Sequence, residues 1–462
     1  MVRMYGLPLL ELVRSNALQH TVCFEDESED FVLTNYLDVK AKLPAHQQHT
    51  DLSALDSDTL SYTVKSPTGL LNATQITQPA LVAFAFAAIA DMRAHGLIQT
   101  NAAFAGHSLG ELCALATLSN VFTLEDILDL ALFRGLLMQS AVPRDEQGHP
   151  GFGMVAVNPS RVGALFSENT LHQVIEAIQS ASSGLIQLVN YNVRDQQYVV
   201  SGTLANLAVL RKVLDEISGA KLPADTRVEF DLRLVVDKAL ADSIDPVPAR
   251  GVATTPLEGI DMPFHSHVLL NSVPAFRDAL NAKLSADSIP LDALCNQYIP
   301  NLTAIPFAVT YGYFELVHTI TGSPVANVIL REWSDDALED PAEKARLGCA
   351  LLVELLAYQL ASPVQWIKTQ VQLFSAAEIE RVIEIGPSPV LCNIAARTVA
   401  SLPHLDSSVS LLHIERDRDN IYYVHTIDET VVAVDDANSL STPDVVHTES
   451  RAAEMPQKQP AE

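Results

Sequence analysis

The stretch Asn101-Ala102-Ala103-Phe104-Ala105-Gly106-His107-Ser108-Leu109-Gly110-Glu111 decides how the rest of the chain is read. A short apolar run suited to a buried strand leads into G-x-S-x-G, and a helix-forming run follows to about Asn120. Strand, glycine turn and helix in that order form the context of a nucleophile elbow. The two glycines allow a tight turn and close packing. Ser108 then projects its hydroxyl at the helix start, where the backbone N–H of Leu109 faces a developing oxyanion. Glu111, three residues after the serine, is placed to cap that helix.

Working outward, Gln78 and Pro79 open a helix that reaches about His95 and stops at Gly96, a C-cap residue. Leu124 to Gln139 reads as the next helix, so the region is α/β. Further upstream, Leu7 to Val13 reads as a short amphipathic helix, Glu25 to Asp30 as an exposed acidic turn, and residues 44–60 as a loop. From Gly153 the pattern changes to strand, helix, strand (Leu185 to Asn190), strand (Gln197 to Ser201) and helix (Leu204 to Ser218). That is the order of a small ferredoxin-like unit, closing with a strand between Val252 and Pro263 around an irregular insertion at 219–251. Helices return from Phe264, ending in the strand and turn Val382-Ile383-Glu384-Ile385-Gly386-Pro387. The expected division is a core in two parts, 1–152 and 263–403, an inserted subdomain at 153–262, and an acidic linker at 404–462 that is disordered toward its end.

Composition narrows the function. Over 462 residues, 29 Lys and Arg face 56 Asp and Glu, for a formal net charge of -27. Such acidity disfavours a grip on nucleic acid or an anionic membrane. The longest apolar run, Pro79 to Ala90, is shorter than the roughly 18 residues of a membrane span and reads as a buried helix. Five widely spaced cysteines, Cys23, Cys113, Cys295, Cys349 and Cys392, fit neither a disulfide framework nor a zinc site. With no signal peptide after Met1, the expected compartment is the cytoplasm.

A serine nucleophile needs a base. Elbow geometry usually turns a residue such as His107 away, and His265, in Met262-Pro263-Phe264-His265-Ser266-His267, is the better candidate because it lies where the subdomain returns to the core. Arg134, in Leu132-Phe133-Arg134-Gly135-Leu136, sits on an apolar helix, where an unpaired guanidinium is expensive to bury. It either belongs to an internal salt bridge or clamps a substrate carboxylate.

Together with Thr77-Gln78-Pro79-Ala80-Leu81, Ala361-Ser362-Pro363-Val364-Gln365-Trp366 and Glu384-Ile385-Gly386-Pro387, these motifs lie in the order seen in malonyl/acyl-CoA:ACP transferases. Asn190-Tyr191-Asn192-Val193, Tyr298-Ile299-Pro300-Asn301-Leu302-Thr303-Ala304 and Glu354-Leu355-Leu356-Ala357-Tyr358-Gln359 make the chain resemble most the malonyl/palmitoyl transferase domain of fungal type I fatty acid synthase, over about residues 5–425. The resemblance implies an α/β-hydrolase-like acyltransferase core with an inserted ferredoxin-like subdomain. It implies Ser108 as acyl-carrying nucleophile, His265 as base, Leu109 as oxyanion donor and Arg134 as malonyl clamp. It further implies that the main-chain carbonyl of Gln365 orients the histidine and that Gln78 lines the pocket.

The reaction so implied is ping-pong transfer of malonyl and long acyl groups between CoA and the phosphopantetheine thiol of an acyl-carrier protein. It needs no metal or redox cofactor, and the other synthase domains are partners. The family's usual opening strand and G-x-G-S-Q-like turn do not precede Tyr5, and residues from about Asp340 to Tyr423 resemble the start of a synthase alpha chain. The expectation is therefore a segment of a larger fused synthase, weakly active by itself. The rival readings are an α/β-hydrolase thioesterase, which shares G-x-S-x-G but has no role for Arg134, and a non-catalytic structural segment of a synthase.

Overall fold

A computed structural model describes residues 1–422 except 25–29, 45–46, 48–51, 67, 146–150, 220–231, 243–248, 376–378 and 403–408. Of the expected turn at Glu25 to Asp30, residues 25–29 lie outside the described residues and Asp30 opens helix Asp30–Lys42; the tail expected to be disordered at 434–462 lies outside them too.

Three helices form the floor of the site. The first runs Thr74–Ala94, four residues earlier than expected, so Pro79 stands inside it rather than at its start. Its buried residues Ile76, Val82, Ala85, Ile89 and Met92 recur at helical spacing along one flank. By length and apolarity this helix is also one that could cross a membrane, and the described fold packs it against the next two helices, Leu109–Leu118 and Leu124–Gln139. Thr123 caps the third helix by accepting from Asp126 N, and Gly135 brings it close to the first. A Cβ on Gly135 would lie 2.4 Å from Gln75 Cα. Helices Val273–Lys283 and Pro341–Gln359 complete this layer and share one hydrophobic core with the other three. A bidentate ion pair from Arg277 to the buried Glu354, which also accepts from Ser323 Oγ at 2.6 Å, joins those two helices.

The strand expected at Asn101 to Ala105 is reduced to one parallel bridge, Phe104 to Tyr298, with Phe104 N donating to Gln297 O at 2.8 Å and Ile299 N to Phe104 O at 3.0 Å. An unforeseen antiparallel pair, β1 (Gln19–Cys23) and β2 (Ser61–Lys65), covers the N-terminal helices.

The inserted unit is built as expected. Strands β3 (Phe152–Val157), β4 (Ile186–Val193), β5 (Gln197–Thr203) and β6 (Thr254–Pro256) form an antiparallel sheet in the order β4-β5-β3-β6. That is the split β-α-β topology of a ferredoxin-like unit. One sheet face (Val155, Val157, Leu188, Val200) packs under helices Glu168–Ala181 and Leu204–Gly219. The insertion at 219–251 is not wholly irregular, since helix Leu232–Ala241 buries Val235, Val236 and Ala239 against those two helices. The opposite face (Met154, Val189, Val199) packs on Leu257, Ile260 and Phe264, and so fixes the residue before His265.

The linker expected from residue 404 is corrected over the described residues 409–422, which are folded into the core. β7 (Arg381–Glu384) pairs in parallel with β8 (Ser410–His413), and Ile414 and Ile421 bury against Ile89 and Met92. Glu384 receives the N–H groups of Leu391 (2.8 Å) and Cys392 (2.7 Å), capping helix Val390–Ser401.

Candidate active site

Ser108 has φ 54° and ψ −116°, a conformation that side chains rarely adopt and that turns the hydroxyl out at the N-terminus of helix Leu109–Leu118. The strain is held from both sides. Asn301 accepts from Ser108 N at 2.7 Å and donates to Gly106 O, which pins the turn. Only the first glycine of the motif is required by packing. A Cβ on Gly106 would fall 1.9 Å from Gly110 C, whereas one on Gly110 meets nothing within 4 Å. Gly106→Ala is therefore expected to destabilise the fold by about 3 kcal/mol or to displace the turn. Gly110→Ala, which lowers the unfolded chain's freedom, should melt at or slightly above the parent temperature. Thermal unfolding of the two variants measures the difference.

His265 also carries positive φ, 60°. Its Nε2 lies 2.7 Å from Ser108 Oγ, and its Nδ1 lies 2.9 Å from the main-chain carbonyl of Gln359. Since a carbonyl only accepts, Nδ1 carries the proton and Nε2 offers its lone pair to the serine. The expected partner, Gln365, is corrected here. Its carbonyl lies at the start of helix Trp366–Ser375 and accepts from Thr369 N at 3.1 Å, as the helix ladder demands. Burial, with help from the positive charge of Arg134, pushes the imidazole down to about 3.

Arg134 is 1% exposed. Nη1 donates to Gln78 Oε1 at 2.8 Å, Nη2 donates to Gln359 Oε1 at 2.8 Å, and Nη2 stands 3.5 Å from Ser108 Oγ. Nε has no partner among the described residues, and none of them pairs Arg134 with a carboxylate. The internal salt bridge is therefore absent among them. Burial brings the guanidinium down to about 10, still cationic at neutral pH. Gln78 serves as an anchor of Arg134, its amide nitrogen donating to Thr74 Oγ1 at 2.9 Å.

Glu111 does not cap its helix. It is 1% exposed and accepts from Tyr298 Oη, from Asn301 N at 3.0 Å and from Gln359 Nε2. Burial raises its carboxyl to about 7 against the pull of those three donors and of Arg134. Leu109 is the first residue of the helix, so its N–H has no intrahelical carbonyl to meet. His107 points away from the dyad, as expected. Its Nε2 lies 3.1 Å from Asn192 Oδ1 on β4, and its ring meets the Trp366 ring edge-on at 5.3 Å.

The elements thus converge on one serine, one neutral imidazole and one buried guanidinium. This is a site for acyl transfer through an ester. The chain belongs to the acyl transferase domain family, whose description matches residues 1–325. It is 40% identical over 406 residues to "Fatty acid synthase 2" of Mycosarcoma maydis, covering 86% of this chain and 11% of that protein. It is 39% identical over 347 residues to "Fatty acid synthase subunit beta" of Saccharomyces cerevisiae, covering 71% of this chain and 17% of that one. The chain therefore spans only 11–17% of the length of these relatives. Among solved structures, FabD from Acinetobacter baumannii aligns over 88% of this chain and 95% of its own, at 20% identity and a TM-score of 0.48.

Proposed function

We propose that this chain moves malonyl and long-chain acyl groups between CoA and the thiol of an acyl-carrier protein, as one cytosolic station of a larger fatty acid synthase. His265 Nε2 takes the hydroxyl proton as Ser108 Oγ attacks the thioester carbonyl carbon. The resulting oxyanion faces the free N–H of Leu109. Collapse breaks the C–S bond, and the departing CoA sulfur takes the proton back from His265. The same steps then run in reverse with the carrier's thiol as nucleophile, which regenerates free Ser108.

The observation that carries the malonyl assignment is Arg134, which is cationic, buried, bound only by neutral oxygens and 3.5 Å from the nucleophile. A carboxylate on the acyl chain supplies the direct ion pair that no described residue makes with Arg134. The backbone carbonyl at His265 Nδ1, in place of a carboxylate, further separates this site from a hydrolase triad. The test is a comparison of malonyl- and acetyl-CoA as donors to a carrier protein, with free acid measured in parallel. Steady release of free acid in preference to thiol transfer would assign the chain to the hydrolases.

The histidine's state is separately measurable. Its value lies below the ordinary one, so the ring stays neutral as pH falls through about 6.5 and protonates only toward 3. The unfolded chain binds that proton first, so folding stability declines across the same interval as pH falls. NMR of isotope-labelled histidine should find His265 neutral and protonated at Nδ1 down to about pH 4. A midpoint near the ordinary value of about 6.5 would remove the burial argument.

A further inference from the structure

A buried guanidinium ordinarily finds a carboxylate. One is close to Arg134 in the form of Glu111, on the helix that Ser108 opens, yet the two do not pair. Between them stands the side chain of Gln359. Its Oε1 accepts from Arg134 Nη2 at 2.8 Å, and its Nε2 donates both to Glu111 Oε2 and to Ser108 O, the latter at 2.8 Å. An amide presents an acceptor on one side and donors on the other, so it hydrogen-bonds a cation and an anion separately and keeps them from direct contact. Gln78 Oε1 likewise gives Nη1 a neutral acceptor, at 2.8 Å.

We propose that the Gln359 side chain determines acyl specificity: as a neutral spacer between Glu111 and Arg134, it leaves the guanidinium charge open to a carboxylate on the acyl group. The inference rests on the acyl-transfer reading above and adds to it a positioning residue that acts through Arg134. It is separate from the role of the Gln359 main-chain carbonyl at His265, which any side chain at 359 retains.

Gln359→Glu is the direct test, because it places a carboxylate where the amide oxygen now meets Arg134 and supplies internally the charge that malonyl would bring. A second variant, Gln359→Glu combined with Glu111→Gln, exchanges carboxylate and amide, so the charge count is unchanged and the hydrogen bond between residues 111 and 359 is kept with its direction reversed. Initial rates of Ser108 acylation by malonyl-CoA and by acetyl-CoA are measured for both variants beside the parent, with kcat and KM separated. Both variants lose the Gln359 Nε2 donor to Ser108 O, which lowers both rates together, so the ratio is the readout: malonyl-to-acetyl kcat/KM should fall on the order of 10²-fold in both variants. Equal losses for the two donors, or an unchanged ratio in the exchanged variant, would make the amide purely structural and overturn the inference while leaving acyl transfer intact. A parent enzyme whose Ser108 accepts neither donor would instead overturn the acyl-transfer reading, and this inference with it. If Gln359→Glu does not fold, the exchanged variant decides the matter by the same ratio.

Discussion

Ser108→Ala is expected to abolish covalent acyl loading from every acyl-CoA and to lower transfer on the order of 10⁶-fold. The substitution removes the only oxygen that His265 Nε2 addresses, at 2.7 Å, and no second hydroxyl hydrogen-bonds to that ring among the described residues. The fold should persist, because the Ser108 contacts that hold the elbow are made by its backbone: its N–H to Asn301 Oδ1 and its carbonyl to Gln359 Nε2. Intact mass after incubation with malonyl-CoA or palmitoyl-CoA reads the outcome. An adduct on the alanine variant would move the nucleophile elsewhere.

The second large effect concerns charge. Arg134→Met keeps most of the side-chain volume and removes the guanidinium. Losing the partner of a desolvated carboxylate costs about 2–5 kcal/mol, so malonyl transfer should fall about 10²-fold or more. Acetyl and palmitoyl groups bring no carboxylate, and their transfer should suffer only from the two amide oxygens left unpaired at Gln78 and Gln359. The ratio of charged to neutral donors is therefore the informative quantity. A parallel loss for both classes would make Arg134 a structural residue.

What was legible in the sequence was what local chemistry encodes. Glycine at 106 is demanded by backbone contact, and it marks the elbow. Arg134 stood out because an apolar helix does not tolerate a lone guanidinium. The ferredoxin-like order followed from alternation and helical spacing in residues that bury on one face, such as Leu171, Val174 and Ile178. Elements defined by distant partners were missed. Any residue can offer a main-chain carbonyl, so the orienting group carries no side-chain signature, and Gln359 was passed over for Gln365. Asn301 and the buried Glu111 act across about 190 residues of sequence, and no local pattern announces that. Strand β8 is four residues long and is held by pairing with β7, in a segment whose acidity suggested a linker. The helix start at Thr74 was displaced because Pro79, a frequent first-turn residue, is tolerated here one turn further in.

The measurement that bears most directly on the account is intact mass of the parent chain, first after mixing with malonyl-CoA and then after adding a carrier-protein thiol. The account predicts one malonyl group, mapped to Ser108 by peptide fragmentation, which persists in buffer and leaves only when the thiol is supplied. An unmodified chain, or an adduct that decays to free malonate at the same rate with and without the thiol, would contradict it.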